Sequence, residues 1–360
     1  MNKKYTINMR SGASAVEGHG VLSAYYEMVN LVKELEDFEI HENSFGCADI
    51  THYHTVNPSY FLGIPWMKMK GKTVGYVHFL PETVDDSLHL PKLARKIFYR
   101  YLILFYKSMD RLVTVNPYFI EKLEAYGIEK DKITYIPNYV SSKEFYPLSS
   151  EEKKALRISY GLDPNRFTVV CAGQLQTRKG VIDFADLAGN LPKVQFVWAG
   201  GFSFGKITEG YTEISQLLQS HPENLFFPGI LPREKMNDFY NLGDVMFLPS
   251  YGELFPMTIL EAMCCGLPIL LRDLDIYPKI LFDFYLKAED QTGFQQELLR
   301  LSQDPVYYSQ AKEKSAKGHD FYNEAHVQTM WENFYKDLIR EKVLDCHPGW
   351  LQALMPAKMK

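Results

Sequence analysis

The chain has 360 residues, of which 46% are hydrophobic and 23% are charged, a composition that excludes an intrinsically disordered protein. Its formal net charge of −5 argues against a general nucleic-acid binder. No uncharged apolar run reaches the roughly 18 residues that a membrane-spanning helix needs, and at about 150 residues per domain the length predicts two domains.

Short β-branched or aromatic runs alternate with segments of helical period, which is the pattern of β–α units in parallel sheets. In the first half, strands are predicted at 5–9, 49–56, 73–80, 111–116 and 132–137, and helices at 21–35, 92–108 and 117–126. In the second half, strands are predicted at 167–172, 194–199, 225–228, 245–249 and 267–271, and helices at 181–188, 211–220, 233–241 and 257–265. Residues 138–148 are predicted to form a linker, and a last helix at about 323–344 carries aromatic residues that must pack on a domain.

The N-terminal residues and the cysteines indicate the cellular compartment. The segment MNKKYTINMRSG carries charge but no apolar core follows it, so it does not resemble a secretory signal. The five cysteines form no Cys-x-x-Cys or Cys/His cluster, and adjacent Cys264 and Cys265 are predicted to be small core residues. We therefore expect a cytoplasmic protein with neither a disulfide framework nor a metal site.

The segment from Glu253 to Glu261 is the most informative part of the sequence. It follows a predicted strand and enters a helix near Met257. A loop in this position presents backbone N–H groups and the positive end of the helix dipole, which stabilise a diphosphate. The two carboxylates flank this anion site and are suited to accept hydrogen bonds from sugar hydroxyls. The alternative interpretation is that Glu253 caps the helix and Glu261 is a solvated helix residue.

Two further strand ends are predicted at the same edge of the sheet. Residues 173–180 join a strand to a helix, and residues 199–201 follow the next strand. Because ligands bind beyond the carboxyl ends of strands in open α/β sheets, Lys179, with Arg178 beside it, is placed to reach a diphosphate. There it would stabilise the negative charge that grows on a leaving group. The alternative is a solvated Arg–Lys pair at the start of a helix.

The first domain offers two weaker candidates. The loop from Gly12 to Gly20 is rich in small residues, which permit close approach of the backbone to a ligand. His78 lies at the carboxyl end of an apolar strand, where its imidazole would suit a hydrogen bond in a cleft between domains. The alternative is that His78 is a core histidine with satisfied hydrogen bonds.

These motifs resemble those of the retaining glycosyltransferases of family 4. Glu253-x7-Glu261 with Gly266-x-Pro268 resembles the EX7E signature, residues 173–180 resemble the phosphate-binding GR-x4-KG element, and residues 136–147 resemble the IPNGVD linker motif. The resemblance implies an α/β protein of the GT-B fold, with two Rossmann-like domains facing each other across a cleft. An acceptor domain would comprise residues 1–145 and a nucleotide-sugar domain 146–322, and a C-terminal helix and tail, 323–360, would pack back on the first domain.

The resemblance also implies roles for particular residues. His78 would contact the transferring sugar, Lys179 would neutralise the departing phosphates, and Glu253 would hold the sugar. The remaining nucleotide-sugar contacts would come from Gly20, Gly173, Gln174, Arg178, Leu231, Phe255, Pro256, Met257, Thr258 and Glu261. Within that set, Gly20 would let the first loop close over the diphosphate, Leu231 would offer its backbone to the base, and Glu261 would hold the ribose. Gln174 departs from the family pattern, which has arginine there.

Residues 66–111 are strongly basic within an acidic protein, with nine Lys and Arg against four Asp and Glu. The predicted helix in this segment places Lys92, Arg95, Lys96, Arg100 and Lys107 on one side. Each cation near an anionic membrane is worth about 1 kcal/mol, so these residues predict reversible docking on the inner face of the cell membrane. The alternative is a core-packed helix with a solvated basic face.

Residues 75–81 and 173–180 are also similar to bacterial glycolipid synthases that extend monoglucosyl-diacylglycerol. That resemblance implies transfer of glucose or galactose from UDP-glucose or UDP-galactose to a membrane glycolipid, with retention of the anomeric configuration and with no obligatory cofactor or metal. Two alternatives stay open: the same chemistry on a polysaccharide or cell-wall precursor, and a GT-B-like partner subunit that binds without turnover.

Overall fold

The computed structural model of the chain describes residues 4–12, 20–81, 92–202, 208–253 and 255–346. Its internal contacts divide it into two units. Unit 1 comprises Met1–Asn138 and Ala325–Lys360, and unit 2 comprises Tyr139–Glu324. The chain therefore leaves unit 1 once and returns to it through its last helix, at positions close to the predicted boundaries at residues 145 and 322.

Unit 1 is built on a parallel sheet of six strands. The strands are β1 (Tyr5–Arg10), β2 (Phe38–Glu42), β3 (Ile50–Tyr53), β4 (Lys72–Val77), β5 (Arg111–Thr114) and β6 (Ile133–Tyr135), in the order β2-β1-β3-β4-β5-β6. The helices between them are α1 (Gly20–Lys33), α2 (Pro58–Lys68), α3 (Lys92–Lys107) and α4 (Tyr118–Ala125). The strand order reverses between β1 and β3, so ligands are expected at the carboxyl ends of these two strands.

The C-terminal helix (Glu324–Cys346) packs on unit 1. The hydroxyl of Tyr335 lies 2.9 Å from Nδ1 of His52 in the sheet, and Trp331 beside it is buried. Lys342 forms an ion pair of 2.6 Å with Asp49 at the start of β3. The last helix therefore belongs to unit 1, and the aromatic residues on its inner face supply the apolar surface that holds it there.

Unit 2 is also built on a parallel sheet of six strands. These are β7 (Thr168–Ala172), β8 (Gln195–Ala199), β9 (Leu225–Gly229), β10 (Val245–Leu248), β11 (Ile269–Arg272) and β12 (Leu286–Ala288), in the order β12-β11-β10-β7-β8-β9. Its helices are α5 (Ser150–Ser159), α6 (Val181–Asn190), α7 (Tyr211–Gln219), α8 (Met236–Asn241), α9 (Met257–Cys264), α10 (Tyr277–Ile280), α11 (Gln291–Gln303) and α12 (Pro305–Tyr322). This is the strand order of the doubly wound Rossmann sheet, and its order reverses between β7 and β10.

The central strands of unit 2 lie in the interior of its sheet. Every residue of β7, β8 and β10 is buried, as expected for strands covered by helices on both faces. Cys264 and Cys265 are 4% and 0% exposed, which confirms that they are small core residues. The carboxyl ends of β7 and β10 therefore project from a rigid support, and the loops that follow them carry Lys179 and Glu253.

The predicted fold class is confirmed, because each unit is a parallel sheet with helices between its strands. Two strands were missed, β2 and β12. Both are edge strands, and only the first residue of β2 and none of β12 is buried, so neither has the apolar run by which buried strands are recognised. The helices α2, α5, α10, α11 and α12 were also missed.

Candidate functional site

The loop after β7 holds Lys179 in a fixed position. Residues 177–179 form a single 3-10 turn that ends at Gly180, whose φ of +76° is in the left-handed region. A Cβ on Gly180 would lie 2.5 Å from the carbonyl oxygen of Pro249. Only glycine therefore lets this turn pack directly against the loop that follows β10.

Lys179 and Glu253 form an ion pair across the switch point of unit 2. Nζ of Lys179 lies 2.6 Å from Oε1 of Glu253, and the two side chains are 15% and 6% exposed. Lys179 is therefore not a solvated lysine at a helix start. The structure thus brings together the predicted diphosphate-binding cation and the predicted sugar-binding carboxylate, in surroundings where a charge-assisted hydrogen bond is strong.

Backbone hydrogen bonds join the same two loops. The carbonyl of Arg178 accepts hydrogen bonds from the backbone N–H of Tyr251 at 2.8 Å and from the hydroxyl of Ser250 at 3.1 Å. The exposed guanidinium of Arg178 donates to the carbonyl oxygen of Gly252. The loop after β10 is therefore held by the loop after β7, and both must move together if either one moves.

Gly173 and Gln174 begin the loop after β7. The carbonyl of Gly173 accepts a hydrogen bond of 3.0 Å from Nε1 of Trp198. Gly200, at the end of β8, has a φ of +150°, and a Cβ there would collide with the same carbonyl. Gln174 is exposed, next to this close approach of backbone to backbone. Its amide carries no charge, and Arg178 lies four residues away in the same loop.

The helix α9 begins beyond the loop that carries Glu253. Its N-cap is Pro256, with no side-chain cap hydrogen bond, and its first turn has no acidic residue. Glu253 therefore does not cap this helix. Phe255, Pro256, Met257 and Thr258 lie at the helix start, partly exposed, where the first backbone N–H groups have no partner within the helix. The dipole and these donors favour an anion at this position.

Glu261 lies within α9 and is buried, with only 4% of its surface exposed, so it is not a solvated helix residue. Its Oε2 accepts a hydrogen bond of 2.6 Å from the hydroxyl of Tyr240, and its Oε1 accepts one from the guanidinium of Arg233. Burial, followed by the Glu261 charge, raises the pKa of Tyr240 well above its usual value, so its hydroxyl stays protonated and donates. Leu231, which follows β9, packs partly buried against the core of the same unit.

Arg233 and Tyr240 were not predicted as site residues. Arg233 contacts two carboxylates, those of Glu261 and Glu144, and its guanidinium lies over the ring of Phe145 at 4.7 Å. Arg233 comes from a 3-10 turn that ends where α8 begins, and Tyr240 comes from α8. Their approach to Glu261 is a tertiary contact across 28 and 21 positions of sequence, so no local spacing could reveal it.

In unit 1, His78 follows β4 and stacks on Tyr76, with ring centroids 4.3 Å apart and planes 20° from parallel. Its Nε2 is buried and has no hydrogen-bond partner in the described part of the chain. Burial lowers the pKa of His78 to about 4, so the ring is neutral near pH 7. It is not a core histidine with satisfied hydrogen bonds. Gly20 is the first residue of α1, and residues 13–19 of the predicted glycine loop lie outside the described residues.

Two further histidines, His52 and His54, lie behind His78 and were not predicted. Their rings are 4.3 Å apart, and that of His54 is 6.3 Å from His78. Both ring nitrogens of His54 and Nε2 of His52 are buried without a partner among the described residues. Burial, then the neighbouring His78, lowers the pKa of His52 to about 3, while burial and both neighbours lower that of His54 well below its usual value. His52 and His54 alternate within a predicted strand, which places both side chains on one face of the sheet. That alternation was the sequence signal from which this histidine cluster could have been predicted.

The predicted membrane-binding helix α3 is divided between core and solvent. Leu102, Phe105 and Tyr106 are buried in the core of unit 1. Lys96, Arg100 and Lys107 are exposed, Arg95 is half-buried, and the side chain of Lys92 lies outside the described residues. Lys96, Arg100 and Lys107 thus share an exposed side of the helix, whereas Arg95 lies on the side of the buried residues.

In the described ranges, no group of three or more His, Cys, Asp or Glu side chains is arranged to hold a metal ion. The same part of the chain contains no helix with the length and apolar character to cross a membrane.

Comparison with known proteins identifies the family. Residues 152–318 match the model for glycosyl transferases group 1, and residues 26–144 match that for glycosyltransferase family 4. Over 336 residues, the chain is 44% identical to the alpha-galactosylglucosyldiacylglycerol synthase of Streptococcus pneumoniae, covering 93% of this chain and 90% of that protein. The chain belongs to glycosyltransferase family 4.

A more distant relative of this family 4 glycosyltransferase is the processive diacylglycerol alpha-glucosyltransferase of Acholeplasma laidlawii. It is 23% identical, over 91% of this chain and 97% of the relative. The fold is similar to that of HepE from Anabaena, solved in complex with UDP-glucose, with a TM-score of 0.68, 12% identity and coverage of 92% of this chain and 100% of HepE. This structural likeness confirms the GT-B fold.

In this family 4 glycosyltransferase, the predicted site residues form separate groups within the two units. Lys179, Arg178 and Glu253 lie together at the β7/β10 switch point, joined by direct hydrogen bonds. Glu261 lies in the helix that follows, beside Arg233 and Tyr240. His78 lies in unit 1, among stacked aromatic rings.

Proposed function

We propose that this protein transfers galactose or glucose from a UDP-sugar to the sugar headgroup of a membrane glycolipid of the monoglucosyl-diacylglycerol type. The observation that carries the proposal is the 44% identity, across nine-tenths of both chains, with a synthase whose name describes a galactosyl-glucosyl-diacylglycerol product. That name makes UDP-galactose the first donor to test and UDP-glucose the second.

The donor diphosphate would bind at the β7/β10 edge of unit 2. The N–H groups at the start of α9 would donate hydrogen bonds to the phosphate oxygens, and the backbone of residues 255–258 would hold the diphosphate and sugar. Lys179 already points at this edge, because it pairs with Glu253. When the diphosphate enters, the ammonium group of Lys179 would turn to it, and Glu253 would be released to accept a hydrogen bond from a sugar hydroxyl.

The nucleoside would bind further along the same edge. Glu261 would hold the ribose hydroxyls through Oε1, replacing Arg233, while Tyr240 keeps Oε2 in place. Leu231 would offer backbone groups to the base. Gln174 is uncharged and stands where the family pattern has arginine. The loop of residues 173–180 contains one arginine, Arg178, and its guanidinium would supply the charge that Gln174 lacks.

In the transfer step, the bond between the anomeric carbon and the diphosphate oxygen breaks as the acceptor oxygen bonds to the same face of that carbon. The acceptor proton passes to the departing phosphate oxygen, so no protein base is required. Lys179 would stabilise the charge that grows on the diphosphate. Neutral His78 would hydrogen-bond the transferring sugar through the nitrogen that has no partner among the described residues.

The acceptor would be reached at a membrane surface. Lys96, Arg100 and Lys107 are exposed on α3, Arg95 is half-buried, and Lys92 is the first residue of the helix. Cations in this arrangement attract anionic lipid headgroups. Neutralising Arg95, Lys96 and Arg100 together should weaken binding to anionic vesicles and leave nucleotide binding unchanged.

The decisive experiment supplies UDP-galactose or UDP-glucose, each with and without monoglucosyl-diacylglycerol in anionic vesicles. The release of UDP and the formation of the lipid product are measured together. Acceptor-dependent release with one donor confirms the proposal and identifies the donor. Nucleotide binding without release contradicts it, and points to a polysaccharide or cell-wall acceptor or to a partner subunit without turnover.

A further inference from the structure

The helices α2 and α3 expose large apolar side chains that a water-soluble surface does not need. The exposed fractions are 81% for Leu62, 57% for Trp66, 70% for Met69, 73% for Leu93, 61% for Ile97 and 56% for Leu104. These six residues are called the anchor face below. Single exposed apolar residues are ordinary, but six on two neighbouring helices call for an explanation.

Each helix presents its part of the anchor face as one stripe. Leu62, Trp66 and the C-cap residue Met69 are separated by four and three residues, which places them on one side of α2 and its C-terminal end. The buried residue of α2, Ile64, is on the opposite side. The stripe on α2 is thus separate from the side of the helix that packs on the sheet.

On α3, Leu93, Ile97 and Leu104 are separated by four and seven residues, which again gives one stripe. The core contact of this helix is made by other residues, such as Leu102 and Phe105. The stripe therefore lies away from the sheet.

The two stripes belong to one surface. The helices α2 and α3 follow consecutive strands, β3 and β4, whose right-handed crossovers place both helices on the same side of the sheet. They are in contact, since the ring of Phe61 is 5.6 Å from Tyr101 and 6.2 Å from Phe105. Both stripes point away from the sheet, so they lie side by side on the outer surface of unit 1.

The charged residues within the two helices are all cations. Neither the 11 residues of α2 nor the 16 residues of α3 include an Asp or Glu. Lys70, Lys96, Arg100 and Lys107 are exposed around the stripes. Apolar side chains surrounded by cations match the interface of an anionic bilayer, in which headgroups attract the cations and the acyl boundary accepts the apolar groups. The Trp66 ring, with an apolar body and a polar N–H, suits that depth.

We propose that the anchor face inserts into the interface of an anionic membrane, with the α2 stripe around Trp66 as a second insertion element beside the basic helix α3. This inference rests on the proposed function, which places the acceptor in the membrane. It adds an apolar contribution that salt does not screen, so membrane binding combines a salt-sensitive part from the cations and a salt-resistant part from the anchor face.

The test measures the fluorescence of Trp66 on vesicles of phosphatidylcholine with and without phosphatidylglycerol, with brominated acyl chains as quenchers. Of the other three tryptophans, Trp198 and Trp331 are buried and Trp350 lies outside the described residues, so the difference between the wild type and Trp66→Phe in the full chain gives the part of the signal that belongs to Trp66. We expect a blue shift and bromine quenching that are lost in Trp66→Phe. Emission of Trp66 that is unchanged by vesicles which do bind the protein would overturn the proposal.

A second measurement is vesicle affinity at low and high salt. The variant Leu62→Ser/Trp66→Ser/Met69→Ser should lose at least tenfold in affinity at high salt, whereas Ile158→Ser/Val306→Ser, with residues 62% and 68% exposed in unit 2, should bind like the wild type. Equal affinities of the triple variant and the wild type would refute the role of the α2 stripe. A dimer without vesicles that the triple variant dissociates would show that the surface binds a second copy of the chain instead.

Failure of this inference and failure of the proposed function are distinguishable. With a short-chain, water-soluble glucosyl-diacylglycerol, the triple variant should keep its wild-type kcat/KM and lose activity only on vesicles. Loss of activity on both acceptors in a correctly folded variant would contradict the anchor role. Absence of wild-type activity on both acceptors, with intact vesicle binding, would contradict the proposed function alone.

Discussion

The substitution Lys179→Met separates the contribution of the Lys179–Glu253 pair to stability from its contribution to transfer. At the observed 2.6 Å and an effective dielectric constant of about 20, the two charges attract by about 6 kcal/mol. Desolvation offsets much of this attraction, but removing one partner leaves a buried, unpaired charge, which costs about 3–5 kcal/mol. Because Glu253 is 6% exposed and Lys179 is 15% exposed, losing the lysine should destabilise the protein more than Glu253→Gln does.

The same substitution should lower kcat/KM by about 10²- to 10³-fold, or about 2.7–4 kcal/mol, because a fixed donor to the developing charge is lost. The double variant Lys179→Met/Glu253→Gln should regain most of the lost stability and none of the activity. Lys287→Met is the matched control, since it removes an ion pair of 2.8 Å at the surface of the same unit, where the lysine is 55% exposed, and should cost at most about 1 kcal/mol.

Stability is measured by hydrogen exchange of the β7 and β10 amides, which report on unit 2 alone, and transfer is measured by UDP release. Two results would refute the reasoning. One is a Lys179→Met protein whose β7 and β10 amides exchange as slowly as in the wild type. The other is a double variant that is less stable than Lys179→Met.

Three further predictions concern backbone, hydrogen bonding and pH. Gly180→Ala should destabilise unit 2 by about 1–3 kcal/mol and reduce transfer, because the φ of Gly180 is +76° and a Cβ there would meet backbone atoms. Gly189→Ala is the control, since a Cβ at that position makes only an ordinary contact. Equal melting temperatures of the two variants would contradict this prediction. Tyr240→Phe should lower the free energy of unfolding by about 1–3 kcal/mol and raise the KM for the UDP-sugar, because it leaves Oε2 of buried Glu261 without its donor. An unchanged KM would contradict the role of Glu261 in binding the ribose. Burial depresses the pKa of His54, so below about pH 6.5 the unfolded chain binds more protons than the folded one. Unit 1 should therefore lose stability as the pH falls from about 6.5 to about 5, and His54→Phe should reduce that loss. A urea midpoint whose pH dependence is the same in His54→Phe as in the wild type would contradict this prediction.

Several missed helices carried signals that were available in the sequence. The helix α5 begins with a capping box in which Ser149 and Glu152 bond each other's backbone N–H groups, a pattern that can be recognised from Ser-x-x-Glu alone. Asp290 and Asp304 are simple N-caps, whose side chains accept hydrogen bonds from backbone N–H groups at the starts of α11 and α12. The helix α2 has a start signal, Asn57 followed by Pro58, but Pro65 lies inside it and its apolar residues are distributed around its whole circumference, so no helical period is visible. It forms because Ile64 and Phe61 pack against α3 and the sheet.

The sequence by itself determined the parallel α/β class, most central strands and the family, and it predicted which residues lie at the ends of the strands. It could do so because strands buried on both faces are continuous apolar runs, and because the ends of parallel strands are short local motifs. Only the tertiary structure decided which charges meet. The pairing of Lys179 with Glu253 spans 74 residues, and that of Arg233 with Glu261 spans 28.

The same limit applies to surfaces. The sequence showed that α3 is basic and amphipathic, but not which of its apolar residues the sheet would cover. Leu102 and Leu104 are equally apolar, yet one is 0% and the other 56% exposed, because burial depends on the direction in which the helix faces its neighbours. Spacing along a chain fixes the relation of side chains within one helix, whereas exposure and charge pairing depend on the packing of elements that are distant in sequence.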